Sequence, residues 1–358
     1  MRNSKTISTR ARRTSGGRAT IFDVCRELGV STATVSRVVN NQPGVGPALR
    51  EKILGAIKKM NYAPQAAARQ LSRAKSDTLG VVFQDLTAGW PLLILRGMMA
   101  RTCGTFQVNI SLSTRAGDAF ELPNKMLAEH RVDGMIWLDP RATEAMIKAL
   151  KKQAVPFVVL QKQLKDPEIS TISMDCRQGG CLAMRHLLSL GHRRILLLTG
   201  PPDSEDSRLK MAGVRQAARE FKHKITPDQI LVGHHVGTHA ISAISEYFQA
   251  GRPKPDAIFA FNDAMAIAVL QWLRGQGYRV PGDIALAGFD GIDETEYLGL
   301  TTVETPMYEM GVLAVQILLD QIADPTRKAR QVLLQGHLHV RGSCGGTGSA
   351  ADNGPSQS

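Results

Sequence analysis

From Asp77 to about residue 340 the chain alternates short apolar runs with helical stretches, and no other feature restricts its fold as strongly. "TLGVVFQDL", "QVNISLS", "VDGMIWLD", "PFVVLQ", "ISTISMD", "RRILLLTG", "DAIFAFND" and "DIALAGFD" have the composition of short buried strands, with helical sequence between most of them. Such alternation specifies a doubly wound α/β architecture around a parallel sheet. The span exceeds what one core holds comfortably, so two stacked α/β subdomains are predicted.

The preceding segment has a different texture. Residues 1–19, rich in Arg, Ser, Thr and Gly, cannot build a core and are predicted to be a disordered basic arm. "TIFD" opens a helix, with Thr20 as N-cap and Asp23 placed to return to it. Val24, Cys25 and Leu28 form its inward face, and Gly29 permits a sharp exit. Ser31 caps a second helix that puts Val35, Val38 and Val39 on one side and Thr32, Ala33, Ser36 and Arg37 on the other. A third helix follows "GVGP", with Leu49, Ile53, Ile57 and Met60 at helical spacing. Helix, tight turn, helix, loop, helix is the helix-turn-helix plan. "APQAAARQLSRAKSD" follows, with Pro64 suited to a first helical position. It is too short for a helix stable by itself, and reads as a hinge that becomes helical when something holds it.

Charge separates the same two regions. Residues 1–75 hold fifteen of the 44 Lys/Arg but only three of the 32 Asp/Glu, so the whole net charge of +12 sits there and the remainder balances. That asymmetry points to a polyanionic partner for the first segment alone. The five cysteines (Cys25, Cys103, Cys176, Cys181 and Cys344) are odd in number and form no CxxC, which argues against a disulfide framework or zinc ribbon. Reduced thiols in a cytoplasmic protein fit best. No apolar h-region or spanning segment is present. His234, His235 and His239 lack a neighbouring Cys or acid to complete a metal site.

Several stretches together resemble the lactose-repressor/galactose-repressor family of bacterial transcription factors: "TIFDVCRELGVSTATVSRVVN", "KKMNYAPQAAARQL", "HRVDGMIW", "HLLSLGHRRILLLTGPP", "AIFAFNDAMAIAVLQWLRGQGYRVPGDIALAGFD" and "LTTVETPMYEMG". They run in the family's order from about Thr20 to Val340. The resemblance implies an all-α helix-turn-helix domain on a core similar to periplasmic sugar-binding proteins, with two doubly wound α/β subdomains. The expected organisation is a basic arm (1–19), the helix-turn-helix domain (20–63), the hinge (64–76), the core (77–340) and a flexible tail (341–358). Within the core, the N-subdomain covers about 77–173 and 307–333 and the C-subdomain about 175–303. A homodimer on a palindromic operator is implied, pairing N-subdomain surfaces, with the helix around Leu92–Cys103 a candidate.

A recognition helix meets base edges with residues near its N-terminus. Thr32, Ala33, Ser36 and Arg37 share one face, and Arg37 can fork onto a guanine edge. Ser31 and Asn40 suit phosphate contacts, and Thr20, Thr34 and Tyr62 complete the set. By resemblance, Leu71 is the hinge leucine that wedges into the minor groove. Gln65 departs from the family's usual Asn.

Ligands of α/β sheets sit beyond the carboxyl ends of the strands. Motif alignment puts Asp85, Trp90, Arg208, Lys210, His235, Asn262 and Asp290 there as effector-binding candidates. Lys210 stands where the family usually has a clamping arginine, and Arg208 is the other candidate clamp. His235 takes the place of a stacking aromatic, and "AGWP" around Trp90 departs from the common "NPFF". An aromatic platform, hydroxyl acceptors and one cation outline a pocket for a sugar or sugar derivative.

The expected function is therefore a DNA-binding transcriptional regulator, most simply a repressor, controlled by a small-molecule effector. A purine or other effector, and activation, stay open, as do a sugar-binding receptor or an enzyme on the same core. No GxxxxGK[ST], GxGxxG after a strand or GxSxG elbow occurs, so no enzyme and no cofactor is expected.

Overall fold

The chain divides into two units, Met1–Ser76 and Asp77–Ser358. The computed structural model describes residues 19–39, 42–62, 75–84, 86, 89–102, 104, 106–115 and 117–345. The basic arm and most of the hinge lie outside the described residues, as do Asn40, Leu71, Asp85 and Cys103.

In the first unit, α1 (Ile21–Leu28), α2 (Thr32–Val39) and α3 (Pro47–Lys59) form a small helical head. The start of α1 is set as its sequence dictates: the Thr20 amide and hydroxyl both donate to Asp23 Oδ2, at 2.9 and 2.7 Å. Gly29 ends the helix at φ 64°, and the Thr34 amide donates to Ser31 Oγ at 3.1 Å to start α2. Pro47 opens α3, where its missing N–H costs nothing. Val24, Val35, Val38 and Ile53 are buried together at the centre. Each stabilises the head by roughly 2 kcal/mol, which a unit this small needs.

The second unit has two lobes. The first is built from β1 (Thr78–Phe83), α4 (Trp90–Thr102), β2 (Gln107–Leu112), α5 (Asp118–Ala128), β3 (Gly134–Leu138), α6 (Glu144–Lys151), β4 (Phe157–Leu160) and β5 (Ser170–Met174). The chain crosses into α7 (Cys176–Ser189), β6 (Ile195–Thr199), α8 (Glu205–Glu220), β7 (Ile230–Val232), α9 (Gly237–Gln249), β8 (Ala257–Ala260), α10 (Asp263–Gly275), β9 (Ala285–Asp290), α11 (Glu294–Tyr297) and β10 (Thr301–Glu304). It returns through α12 (Met307–Ala323) and β11 (Gln331–Leu334), then crosses again into β12 (His337–His339). Two six-stranded sheets result, ordered β11-β5-β4-β3-β1-β2 and β12-β10-β9-β8-β6-β7. Neighbouring strands are parallel except β10 and β12. The predicted doubly wound pair of α/β subdomains is thus observed. Among the described residues no helix is long and apolar enough to cross a membrane.

Burial explains the continuous apolar runs. Every residue of β1, β3, β4, β6 and β8 is buried, because helices cover both sheet faces. The edge strands β2, β7, β11 and β12 are less covered, and β2 leaves Ile110 and Leu112 exposed. Helices α7 and α8 touch backbone to backbone: a Cβ on Gly213 would collide with the Arg177 carbonyl, and one on Gly180 with the Lys210 carbonyl. This contact seats α8, and with it Lys210, against the second sheet. Gly213→Ala is expected to destabilise the body by at least about 3 kcal/mol, since neither backbone can yield cheaply. Urea denaturation followed by circular dichroism checks it; a smaller loss would mean that α8 is free to shift.

The tail departs from expectation at its start. Residues 341–345 are ordered against the second lobe rather than free. Ser343 Oγ accepts from the Thr301 amide at 2.8 Å and donates to the Leu286 carbonyl at 2.7 Å. Cys344 is fully buried, its Sγ 3.1 Å from His186 Nε2. The buried hydrogen bonds of the serine, invisible in a Gly/Ser-rich string, hold this turn.

Candidate functional site

Two surfaces carry chemistry. On the head, the buried valines of α2 turn its other side outward. Ser31, Thr32, Ala33 and Arg37 are exposed, and Thr34 and Ser36 partly so. No ion pair holds the Arg37 guanidinium among the described residues. Exposed Lys58 and Lys59 end α3, where Lys59 pairs loosely with Glu27 at 3.6 Å. The structure therefore brings the expected helix face together and leaves its arginine available. Tyr62 is corrected: its ring is buried in the head's core, which the three helices close around it, and is not part of the outward face. Phe22, 65 % exposed in the first turn of α1, was not among the expected residues. Its only sequence signal is an aromatic on the side of α1 away from Val24.

On the body, the carboxyl ends of strands from both lobes converge. Gly89, beyond β1, lies against Ile292, beyond β9. Arg96 and Asp293 pair across the lobes at 3.4 Å. The first lobe contributes a tight network beyond β2 and β3. Arg141 donates to both carboxylate oxygens of Asp139, at 2.9 and 2.7 Å, and to Ser113 Oγ at 2.8 Å, while Ser113 itself donates to Asp139. These donors hold the Asp139 carboxyl below its ordinary pKa against the effect of burial.

The second lobe contributes the larger cluster. Asp206, Ser207 and Lys210 share one side of α8 by helical spacing. Lys210, 3 % exposed, donates to Asp206 Oδ2 at 2.9 Å and to the Phe261 carbonyl at 2.8 Å, with its ammonium 3.9 Å from the centre of the Phe289 ring. Burial opposes the lysine's charge, but Asp206, Asp290 and Cys176 together outweigh it and the pKa ends above its usual value. Cys176 donates its thiol to Asp206 Oδ1 at 3.2 Å. His235 Nε2 lies 3.3 Å from Ser207 Oγ. Burial, then the Lys210 cation, lowers the His235 pKa to about 4, so its ring is neutral at pH 7.

Beyond β9, Asp290 has φ 119°, a region that favours glycine. Its carbonyl accepts from the Thr305 amide at 3.0 Å and the Thr305 hydroxyl at 2.9 Å. Fully buried Asp263 holds the next turn: Oδ2 accepts from the amides of Gly291 and Ile292, at 2.6 and 3.1 Å, and Oδ1 from the Thr302 hydroxyl at 2.7 Å. Burial raises the Asp263 pKa to about 7 despite these donors. Burial also pushes the Asp290 carboxyl well up, opposed by Lys210 and reinforced by Asp263 and Asp206.

The expected effector residues are thus only partly gathered. Lys210, His235, Asn262 and Asp290 meet at the carboxyl ends of the second sheet, but in different roles. Asn262 is used up internally: Oδ1 caps α10 by accepting from Met265 N at 3.0 Å, and Nδ2 donates to the His235 carbonyl at 3.1 Å. Lys210 is a paired, buried lysine and not an open clamp. Arg208, two residues away and so on the opposite side of α8, is exposed and does not join the cluster. Trp90 begins α4 and packs partly onto the first lobe's core. Asp206, Asp263 and Ser207 were not anticipated. Asp206 had a signal, since it lies one helical turn before Lys210; Asp263 had none beyond adjacency to Asn262.

A helical DNA-reading head joined to a two-lobed body with polar chemistry at its strand ends defines a ligand-controlled DNA-binding protein as the class. The chain belongs to the lacI family of bacterial regulatory proteins, whose family model matches residues 20–65, with a periplasmic binding protein-like domain matched over 184–344. The HTH-type transcriptional repressor PurR of Photobacterium profundum is 31% identical over 330 residues, spanning 91% of this chain and 98% of that protein. The ribose operon repressor of Escherichia coli (strain K12) is 32% identical over 330 residues, spanning 91% of this chain and 99% of that one. The crystal structure of the lac repressor dimer bound to operator and the anti-inducer ONPF superimposes with a TM-score of 0.80 at 27% identity, covering 92% of this chain and 99% of that chain.

Proposed function

We propose that this protein is a repressor that binds a two-fold symmetric operator as a homodimer and exchanges operator affinity for occupancy by a sugar or sugar derivative. The observation that carries the reading is Asp290, a buried carboxyl held in a strained backbone at a strand's carboxyl end, in a chain whose head leaves Arg37 exposed and in no ion pair among the described residues. Strain of this sort persists where surrounding structure enforces it, and it clusters at ligand sites. Arg37, Thr32, Ala33 and Ser36 read base edges, while Ser31, Lys58 and Lys59 meet phosphates. Leu71 is the proposed minor-groove wedge.

The ribose operon repressor among the relatives supports a sugar effector, and PurR keeps a purine in view. The operator-bound lac repressor dimer supports operator binding and dimerisation. In this chain, Leu92 and Met99 on α4, with Ile110 and Leu112 on the edge strand β2, are exposed apolar side chains suited to a second copy. The effector shifts operator affinity only by its differential binding to the two lobe arrangements.

The test is a gel shift with duplexes selected from a random pool. The full chain is expected to retain selected duplexes at moderate salt, and a chain beginning at Ser76 is not. Retention by the shortened chain would remove the head as the DNA-binding element and end the proposal.

A further inference from the structure

We propose that the far end of the second lobe carries a second small-molecule site, a recess that binds an organic phosphate apart from the effector cleft. It does not depend on what fills the cleft. The recess has a volume of about 410 Å³. Small-molecule pockets usually span roughly 300–1,000 Å³. It lies between the last turns of α8 and the chain entering β7, with Arg215, Arg219, His223, Lys224, Ile225 and Ile230 among its lining residues. Among the described residues no acid lines it.

The topology keeps this recess and the cleft separate. α8 starts beside the cleft, at Asp206 and Lys210, and its sixteen residues carry it ~24 Å along the sheet. β7 runs parallel to β6, so His223, Lys224 and Ile225 lead into the amino end of the sheet. The cleft forms at the opposite, carboxyl ends of the same strands.

The cations of the recess are uncommitted. Arg215 and Arg219 are exposed one helical turn apart and share a side of α8. Glu220, the neighbouring acid, accepts from Arg185 at 2.8 Å, and neither arginine nor Lys224 forms an ion pair among the described residues. A cation in a helix's last turn is stabilised by the helix dipole, which accounts for Arg219 alone. Asp228, the one acid from Phe221 to Ile230, does not line the recess. The buried Nε2 of His223 has no hydrogen-bond partner among the described residues. Burial, then the Arg193 cation, lowers the pKa of that ring, so it is neutral at pH 7, and in its Nε2–H form it can donate to a phosphate oxygen. A buried polar nitrogen left unpaired is costly, and such a bond removes the cost. Two guanidinium forks and an ammonium match the several oxygens of a phosphate. The partly buried Ile225 and Ile230 add an apolar side on which a carbon body can rest, and a bare ion would leave it in water.

The experiment is isothermal titration of the full chain at about 0.15 M salt with ribose 5-phosphate, AMP and phenyl phosphate. Ribose, adenosine and phenol are their dephosphorylated partners, and inorganic phosphate is the bare ion. At least one organic phosphate is expected to bind more than about tenfold tighter than both its dephosphorylated partner and inorganic phosphate. Replacing Arg215→Gln and Arg219→Gln together is expected to weaken that binding more than about tenfold. Lys224→Gln is the second variant should circular dichroism show that the pair folds poorly. Asp290→Gly, a change in the cleft, is expected to leave this binding unaltered. Loss with Asp290→Gly but not with the arginine pair would put the ligand in the cleft and overturn the inference. Inorganic phosphate binding as tightly as every organic phosphate, or no phosphate binding at all, would also overturn it. So would heparin affinity that falls with the arginine pair while no organic phosphate binds, which would assign the surface to extended polyanions. Each of these failures leaves the sugar reading of the cleft standing.

Discussion

Arg37→Ala is expected to weaken binding to a selected operator duplex about ten- to hundredfold while barely changing affinity for random DNA. The residue is exposed in the last turn of α2, on the side away from Val35 and Val38, and no carboxylate competes for it among the described residues. A guanidinium so placed can donate twice to one guanine edge, and losing the pair removes discrimination before it removes attraction. Lys58→Ala provides the contrast: it should lower affinity for all duplexes alike and reduce the salt slope by about one. Fluorescence anisotropy at several salt concentrations separates the two. Equal losses on selected and random DNA for Arg37→Ala would reassign that arginine to the phosphate backbone.

Asp290→Gly is expected to abolish the effector response and at the same time to stabilise the body by about 1–3 kcal/mol, since glycine relieves the strained φ. It also removes a buried carboxyl that crowds Asp263. The gain should depend on pH. Burial raises the folded-state pKa of Asp263 to about 7 and that of Asp290 well above its ordinary value. The folded chain then holds protons that the unfolded chain has already lost at about pH 4, so stability falls as pH rises between those limits. The advantage of Asp290→Gly over the unaltered chain is therefore expected to be the strain relief alone near pH 4 and to grow as pH rises through 7. Taking the difference cancels the opposite trend from His235, whose depressed pKa makes folding less favourable in acid. Thermal melts across this range, with and without a bound sugar, check both halves. An advantage independent of pH would mean that the two carboxyls do not share a proton-linked repulsion.

Much of the architecture was legible because burial on both faces leaves an unbroken apolar signature, as in "GMIWL" and "ILLLT". The strands that escaped notice are short or polar. β10 is "TTVE", yet it lies inside its sheet, its threonine hydroxyls bonded to Asp263 and to the Arg341 carbonyl. β7, β11 and β12 have three or four residues each and too little pattern to register. In the site, motif position located Lys210, Asn262 and Asp290 but not what they touch. Tertiary partners from separate elements, such as the Thr302 hydroxyl and the Gly291 amide on Asp263, leave no local trace. Tyr62 misled for a related reason: a tyrosine near a basic surface looks available until three helices enclose its ring.

The backbone passes between the lobes at three places: from β5 to α7, from β10 to α12 and from β11 to β12. One strap would let the halves tumble, and two would let them fold like a book in more than one plane. Three laid side by side leave a single soft coordinate, an angle. A molecule wedged between the halves can then alter only that angle, so whatever its size or decoration, the downstream machinery receives one scalar quantity rather than a shape.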